Sequence, residues 1–201
     1  MVFQSKHLGQ EGTWKVTRGG VTLLEYIYRE AGDPNPAFRT VRTPEGHQVA
    51  IYRPWDHPWH LGMFFSWKYI DGKNFWESFY EDGNRNVAVT DGFEPVHEAD
   101  GPGFRQELSY VSGEGETLLK EERRVRVTEA ESGYVIRWEA DFDNAAGRDL
   151  VLDCTEVTEK TPWGGYAGIT VRLNRNFLHP VITTDQGVMK AEESHRKPFN
   201  Y

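Results

Sequence analysis

Cysteine is almost absent from this sequence, and long apolar runs and an excess of basic residues are missing altogether. The single cysteine, Cys154, excludes an internal disulfide and a cysteine-rich zinc site. No apolar run approaches the roughly 20 residues that a membrane-spanning helix needs. The formal net charge of −8 disfavours nucleic acids and anionic membranes as partners. Because the start, MVFQSKHLGQEG, also lacks the apolar segment of a signal peptide, we expect a cytoplasmic protein with neither partner.

Helical periodicity is scarce, whereas alternation of apolar and polar residues is common. In YVIRWEADFDN, Tyr134, Trp138 and Phe142 would share one face of a strand and charged residues the other. FRQELSYVS and LLKEERRVRVTEA are typical of solvated strands in which Arg and Glu face each other. Turn residues separate such segments, without a linker or an internal repeat. The sequence therefore predicts an all-β protein, a single antiparallel β-sandwich domain over residues 1–201.

A hairpin is predicted in LGMFFSWKYIDGKNFWESFY, where Asp-Gly lies between two aromatic runs. Asp-Gly favours a two-residue turn, and that turn would pair Trp67 with Trp76 across the two strands. In this register Glu77 lies roughly 20 Å from His60, at about 3.3 Å per residue. Glu77 is therefore not expected to share a site with the histidines.

The segment YRPWDHPWH is bulky, aromatic and ionisable, whereas loops are usually small and polar. Pro58 suits the second position of a turn from His57 to His60, which would bring their Cα atoms within about 7 Å. The two imidazoles could then converge beside Asp56. We take Asp56, His57 and His60 as the candidate catalytic residues.

Three interpretations of the two histidines stay open on residue types alone. They could transfer protons, since histidine titrates near neutral pH. They could bind a divalent metal, with His57 and His60 as ligands and Asp56 as a ligand or an orienting group. They could also be structural and bond to loop carbonyls, because His-x-x-His by itself is a weak signal.

Several further side chains are candidates for contacts with a ligand. Trp55 and Trp59 could stack on a sugar ring. In WGGYAGITVRLNRNF, alternation places Tyr166 and Arg172, together with Thr170 and Asn174, on the polar face of a strand, which could line a sugar pocket. Arg53 or Arg172 could hold a carboxylate or stabilise an enolate.

The segment FRTVRTPEGHQVAIYRPWDHPWHLGMFFSWKYIDGKNFW resembles the signature region of the soluble bacterial "methane oxygenase PmoA" family. GRDLVL and GGYAGITVRLNRNF resemble later strands of that family. The matching positions are Thr43, Gly46, Arg53, Pro54, Asp56, His57, His60, Gly62, Asn74, Phe75 and Trp76.

This resemblance implies a β-sandwich of unsettled function, related by analogy to the galactose-mutarotase supersandwich. Its members are often encoded near sugar-metabolising oxidoreductases and isomerases. They usually continue well beyond the equivalent of SHRKPFNY. The resemblance therefore implies that this chain is truncated at its C-terminus and that the sandwich has an open edge.

Two functions from different classes follow from these observations. The first is an enzyme of the carbohydrate epimerase or lyase type, which uses the histidines as acid and base or a divalent metal. The second is a non-catalytic carbohydrate-binding or interaction module, in which the histidines only shape the loop. Both predict a small sugar-like ligand, and either is compatible with an oligomer.

Overall fold

Antiparallel sheets make up most of the protein in the computed structural model, which describes residues 3–30, 32–77, 83, 85–162, 164–177, 181–184 and 187–190. Strands are numbered here in chain order. The larger sheet has six strands in the spatial order β1 (Gln4–Leu8), β2 (Thr13–Arg18), β3 (Val21–Ile27), β4 (Ala37–Val41), β5 (Met63–Ser66) and β13 (Gly168–Val171).

The second large sheet has four long strands in the spatial order β11 (Gly133–Asn144), β10 (Thr117–Ala130), β9 (Gly101–Val111) and β8 (Val87–Glu98). Consecutive strands are spatial neighbours here, as short turns between antiparallel strands dictate. Together the two sheets form a sandwich. The all-β, antiparallel sandwich predicted from alternation is confirmed.

Smaller elements complete the described part of the chain. A three-stranded sheet has the order β12 (Leu152–Asp153), β6 (Tyr69–Ile70) and β7 (Lys73–Asn74), and a hairpin joins β14 (Val181–Thr184) to β15 (Gly187–Lys190). One short 3-10 helix spans Gly9–Glu11. Within the described residues, no helix has the length and apolar character required to cross a membrane.

Aromatic side chains fill the space between the two large sheets. Trp14, Tyr26 and Phe38 lie on the six-stranded sheet and are fully buried, as is Phe104 on the opposite sheet. The ring centroid of Phe104 is 5.1 Å from that of Trp14 and 4.6 Å from that of Tyr26. Such rings bury large apolar areas, so a chain with few aliphatic residues still forms a core.

The alternation predicted for YVIRWEADFDN holds along β11. Tyr134 and Trp138 are partly buried and pack against the core between the sheets, and Phe142 packs against a second apolar cluster next to it. Val135, Arg137 and the other alternate residues are exposed. β11 belongs to an antiparallel sheet that packs on the core with one face, so the other face of the strand is in water.

β10 departs from the expectation of a solvated strand. Glu121 and Arg123 point inward and are fully buried, and only the alternate residues such as Glu122 reach solvent. The prediction was wrong for one face of this strand. Arg and Glu two residues apart share a face, so they can pair with each other inside the core.

The buried pair belongs to a group that we call the core ion cluster: Glu121, Arg123, Tyr26, Tyr110 and Gln106. Arg123 donates to both carboxylate oxygens of Glu121 and, at 2.8 Å, to the Tyr26 hydroxyl. Tyr110 donates to Glu121 at 2.7 Å, and Tyr26 donates to Gln106 at 2.6 Å. Burial raises the pKa of Tyr26 to about 12, so its hydroxyl keeps the proton that it donates.

Candidate functional site

The loop from Arg53 to His60 is closed by its own backbone. Tyr52 and Leu61 form an antiparallel bridge just outside it, and the Arg53 amide donates to the His60 carbonyl at 2.8 Å. Two consecutive turns fill the loop, in which the His57 amide donates to the Pro54 carbonyl and the His60 amide to the His57 carbonyl, both at 3.0 Å. The second turn is the one that Pro58 predicts.

The chain leaves this loop through a glycine that no other residue could replace without strain. Gly62 has φ of 86°, and a Cβ there would lie 2.4 Å from the Phe38 carbonyl oxygen. β5 can therefore approach β4 closely directly after the histidine loop. This close approach places Phe64 under the site, where it is fully buried beside Leu61.

The predicted Asp-Gly turn is present, but the hairpin is shorter than expected. Asp71 and Gly72 have φ of 53° and 76°, as a two-residue hairpin turn requires. Pairing ends after Tyr69 and Asn74. The side-chain oxygen of Asn74 then accepts from the backbone amides of Trp76 and Glu77, a turn that diverts the chain out of the strand.

This break corrects two expectations. Trp76 does not pair with Trp67: it is buried beside Phe64, whereas Trp67 packs in a different cluster. Glu77, which the regular register placed roughly 20 Å from His60, lines the same pocket as His60. The expectation assumed regular strand geometry. Here an Asn side chain, and not a neighbouring strand, accepts the hydrogen bonds of the backbone amides, so the strand ends early.

β13 brings the third part of the site. Thr170 lies opposite Phe64 in the ladder between β13 and β5, and the Arg172 amide donates to the Gly62 carbonyl at 2.8 Å. Thr170 and Arg172 face the pocket, whereas Ile169 and Val171 lie on the other face of the strand and are exposed. The predicted alternation is confirmed, although the apolar face is the more exposed one.

These segments enclose a pocket of about 400 Å³. Aromatic rings form its wall: the centroid of Trp76 is 4.9 Å from that of Tyr166, and the centroid of Trp59 is 5.2 Å from that of His57. A partly apolar wall with a few polar groups is the usual composition of a small-molecule site. The lining residues are His57, Trp59, His60, Trp76, Glu77, Tyr166, Thr170 and Arg172.

The two histidines converge on this pocket. Their ring centroids are 5.4 Å apart, with the ring planes nearly perpendicular. Burial lowers the pKa of His60 to about 4, and the positive charge of Arg172 adds to this effect. His60 is therefore neutral at pH 7. Its Nδ1 is buried and has no hydrogen-bond partner among the described residues.

His57 has a different environment. Its Nδ1 lies 3.0 Å from a carboxylate oxygen of Asp56, which favours the tautomer with the proton on Nδ1 and leaves Nε2 as the basic nitrogen. Asp56 also pairs with Arg175. Burial raises the pKa of Asp56, but the hydrogen bond with His57 and the charge of Arg175 outweigh it, so the pKa is lowered and Asp56 is ionised.

Glu77 is held by three donors. Lys68 pairs with one carboxylate oxygen, which also accepts from Asn74 at 2.9 Å, and Tyr166 donates to the other oxygen at 3.1 Å. The side chain of Lys68 is only 5% exposed. Burial lowers the pKa of Lys68, but the bond with Glu77 reverses this effect and leaves the pKa raised, so Lys68 is charged.

Two of the predicted ligand contacts lie outside the pocket. Arg53 pairs with Asp33 and lies over the Tyr52 ring at 5.7 Å, and its φ of 46° is unusual for a residue with a side chain. Trp55 is 86% exposed, with Arg175 over its ring at 5.8 Å. Arg53 therefore anchors the loop, and Trp55 lies on the outer surface of the loop.

The other predicted residues do come together: His57, His60, Trp59, Tyr166 and Arg172 line the pocket. Asp56 stands behind His57 rather than in the lining. The sequence interpretation missed Trp76 and Glu77 as pocket residues, whereas Thr170 was expected on the polar face of its strand and lines the pocket. The Asn of KNFWE was the available signal for the first two, because Asn often ends a strand by bonding to its own backbone.

A protein site for a metal would need more ligands than the two histidines. Three or four protein ligands are usual for zinc. Among the residues that the structure describes, no group of three or more His, Cys, Asp or Glu side chains is arranged to hold a metal ion. Asp56 is already engaged by Arg175 and His57. The described residues therefore fit the proton-transfer interpretation better than the metal interpretation.

Comparison with known proteins places the chain in a family without assigning an activity. No curated protein and no solved structure matches it. The model of a family of unknown function, DUF6807, matches residues 13–199, which include every described strand except β1 and every residue of the pocket lining. The chain therefore belongs to this family of unknown function.

Proposed function

We propose that the pocket binds a sugar-like, polyhydroxylated molecule and that His57 and His60 act on a carbon next to its carbonyl group. The observation that carries this proposal is the convergence of two imidazoles with different partners, with ring centroids 5.4 Å apart, on one aromatic-walled pocket. The pocket size falls within the range of about 300–1,000 Å³ for small-molecule sites.

The roles of the two histidines differ because their partners differ. His57, oriented by Asp56, is the base: it removes a proton from the C–H bond, and Asp56 stabilises the imidazolium that forms. The electron pair of that bond moves to the carbonyl oxygen. His60 is neutral and donates a hydrogen bond to this oxygen, a role that suits an imidazole with a lowered pKa.

The proton on His57 then determines the product. Its return to the same carbon on the opposite face gives an epimer when the intermediate turns over in the pocket. Its transfer to a neighbouring hydroxyl group, which leaves as water, gives an unsaturated product. Neither route needs an oxidant or a reductant. The reaction class is thus epimerisation or elimination next to a carbonyl.

The alternative function is a non-catalytic carbohydrate-binding module. The observation that favours it is that both carboxylates already have protein partners, since Glu77 accepts from three donors and Asp56 is paired with Arg175. Under this alternative the pocket binds the same ligands without proton exchange.

Hydrogen exchange separates the two functions. The protein is incubated in D₂O with D-glucose, D-galactose, D-glucuronate and D-galacturonate, and proton NMR follows loss of the signal next to the carbonyl or carboxylate carbon. Catalysis predicts exchange that falls about 10²–10⁴-fold in His57→Gln. His97→Gln, on the exposed face of β8, is the matched control.

Binding without exchange in the wild-type protein would leave only the module. If His57→Gln and His60→Gln both lose several kcal/mol of stability while ligand affinity is unchanged, the histidines are structural and the catalytic function fails, which leaves only the module.

A further inference from the structure

The pocket contains one cation, Arg172, that has no close ion pair among the described residues. Arg172 lines the cavity with its side chain about one-third exposed. Its nearest carboxylate oxygen, on Asp56, is 3.6 Å away, and its contact with His57 Nδ1 is 3.4 Å. Both distances exceed the 2.7–3.2 Å typical of a good N–H···O hydrogen bond.

The carboxylates near Arg172 already have other partners. Asp56 pairs closely with Arg175 and lies 3.0 Å from His57. Glu77 pairs with Lys68. Leaving the histidines aside, three cations thus face two carboxylates around the pocket among the residues that the structure describes. This surplus of one positive charge occurs in a chain whose formal net charge is −8.

We propose that the ligand of this pocket is a sugar acid, whose carboxylate binds the Arg172 guanidinium while its hydroxyl groups bind at Glu77. This inference rests on the proposed function and names its substrate class. A guanidinium presents donors in a planar fork that matches a carboxylate, and such charge-assisted pairs are about twice as strong as neutral hydrogen bonds.

The other polar end of the pocket suits hydroxyl groups. A carboxylate has about four acceptor positions, and Glu77 uses three of them for Lys68, Asn74 and Tyr166. One position is left for a ligand hydroxyl. His60 Nδ1 is a second polar atom without a partner among the described residues. A ligand with one anionic end and several hydroxyls fits both features.

A carboxylate fits better than a phosphate group. A phosphate carries up to two negative charges and is commonly bound by several backbone amides at a helix N-terminus or by more than one cation. The described part of the chain contains only one short 3-10 helix, Gly9–Glu11, which is not part of the pocket. One surplus charge balances a single carboxylate.

Isothermal titration calorimetry at pH 7 tests the inference with matched ligands. D-glucuronate and D-galacturonate should bind at least about tenfold more tightly than D-glucose and D-galactose, because a hydrogen bond to a charged group is worth that much. The preference should disappear in Arg172→Gln. It should persist in Arg137→Gln, which removes the same charge from the exposed face of β11.

Three results would overturn the inference. Equal binding of neutral sugars and acids by the wild-type protein would refute the sugar acid but leave the proposed function intact. Stronger binding of glucose 6-phosphate than of glucuronate would assign the site to a phosphate. Binding of none of these sugars would refute the inference and the proposed function together. The wild-type comparison needs no variant, so it stands even if Arg172→Gln does not fold.

Discussion

The core ion cluster and the pocket are both built from charged and aromatic side chains, but the protein satisfies them to different degrees. In the core, Glu121 and Arg123 are fully buried and bonded to each other and to two tyrosines. In the pocket, Arg172 has only long contacts and His60 Nδ1 has no partner among the described residues. A buried cluster whose polar groups have hydrogen-bond partners helps to specify the fold. A cluster beside a cavity whose polar groups lack close partners can bind a ligand.

Solvent access explains why the polar groups of the core ion cluster and of the pocket differ in how completely they are hydrogen-bonded to the protein. A charged group sealed in the core without a protein partner is strongly destabilising, because its desolvation is then uncompensated. A group that lines an open pocket can be solvated until a ligand replaces the water. The comparison therefore predicts large stability effects for the core ion cluster and functional effects for the pocket.

The largest effect is expected for Arg123→Met. Removal of the guanidinium leaves the buried Glu121 side chain without its cationic partner, which typically costs about 3–5 kcal/mol of unfolding free energy. Urea denaturation measures the loss. The double variant Glu121→Leu/Arg123→Met should recover most of it, since a buried ion pair is often replaceable by apolar residues. A loss under about 1 kcal/mol in the single variant would contradict the large contribution of the core ion cluster to stability.

A smaller loss is expected for Lys68→Met. Glu77 keeps Asn74 and Tyr166 as donors and lies at the pocket, where water can replace the ammonium. The cost should be about 1–3 kcal/mol, as for one unsatisfied polar group. Glu77→Gln/Lys68→Met, which removes both charges, is the control. A loss as large as that of Arg123→Met would show that the pocket is as sealed as the core.

The pH dependence of stability isolates His60. Its pKa is about 4 in the folded protein, against about 6.5 for an unperturbed histidine. Between these values the unfolded chain binds more protons, so the stabilising contribution of neutral His60 is complete above about pH 6.5 and is lost as the pH falls towards 4. Urea denaturation over this range should show a shallower decline in His60→Gln than in wild type or His97→Gln. Superimposable curves would contradict the buried, neutral state of His60.

The smallest effect is expected for Trp55→Ala. The ring is 86% exposed and does not line the pocket, so stability should change by less than about 0.5 kcal/mol. Affinity for the sugar panel should also stay the same by calorimetry. Trp59→Ala is the informative counterpart, because Trp59 forms part of the pocket wall and its loss should weaken binding. Weaker binding in Trp55→Ala would show that Trp55 contacts the ligand, as expected from the sequence.

Features set by a few neighbouring residues could be predicted from the sequence. Alternation along β11 gave the correct inward face, and Asp71-Gly72 forms the predicted turn. The turn through Pro58 is also present. These predictions succeed because a strand places alternate side chains on opposite faces and because proline and glycine restrict or widen φ locally.

Features set by competition between local and distant partners could not be predicted in this way. Glu121 and Arg123 have the pattern of a solvated face, yet the hydroxyls of Tyr26 and Tyr110 make their burial possible. Asn74 bonds to the amides of Trp76 and Glu77 and so overrides the hairpin register. A sequence pattern shows that a side chain is polar, but it does not show which distant group forms a hydrogen bond with that side chain.

The candidate site likewise has one part that local sequence determines and another that depends on distant partners. Pro58 and the closed loop bring His57 and His60 together, and this proximity is readable from nine consecutive residues. The union of these histidines with Arg172 depends on the pairing of β13 with β5, which joins segments about a hundred residues apart in the chain, whereas Glu77 reaches the pocket through the turn at Asn74. The charge balance of the pocket arises only in the folded chain, because electrostatic interactions depend on distance in space and not on separation in sequence.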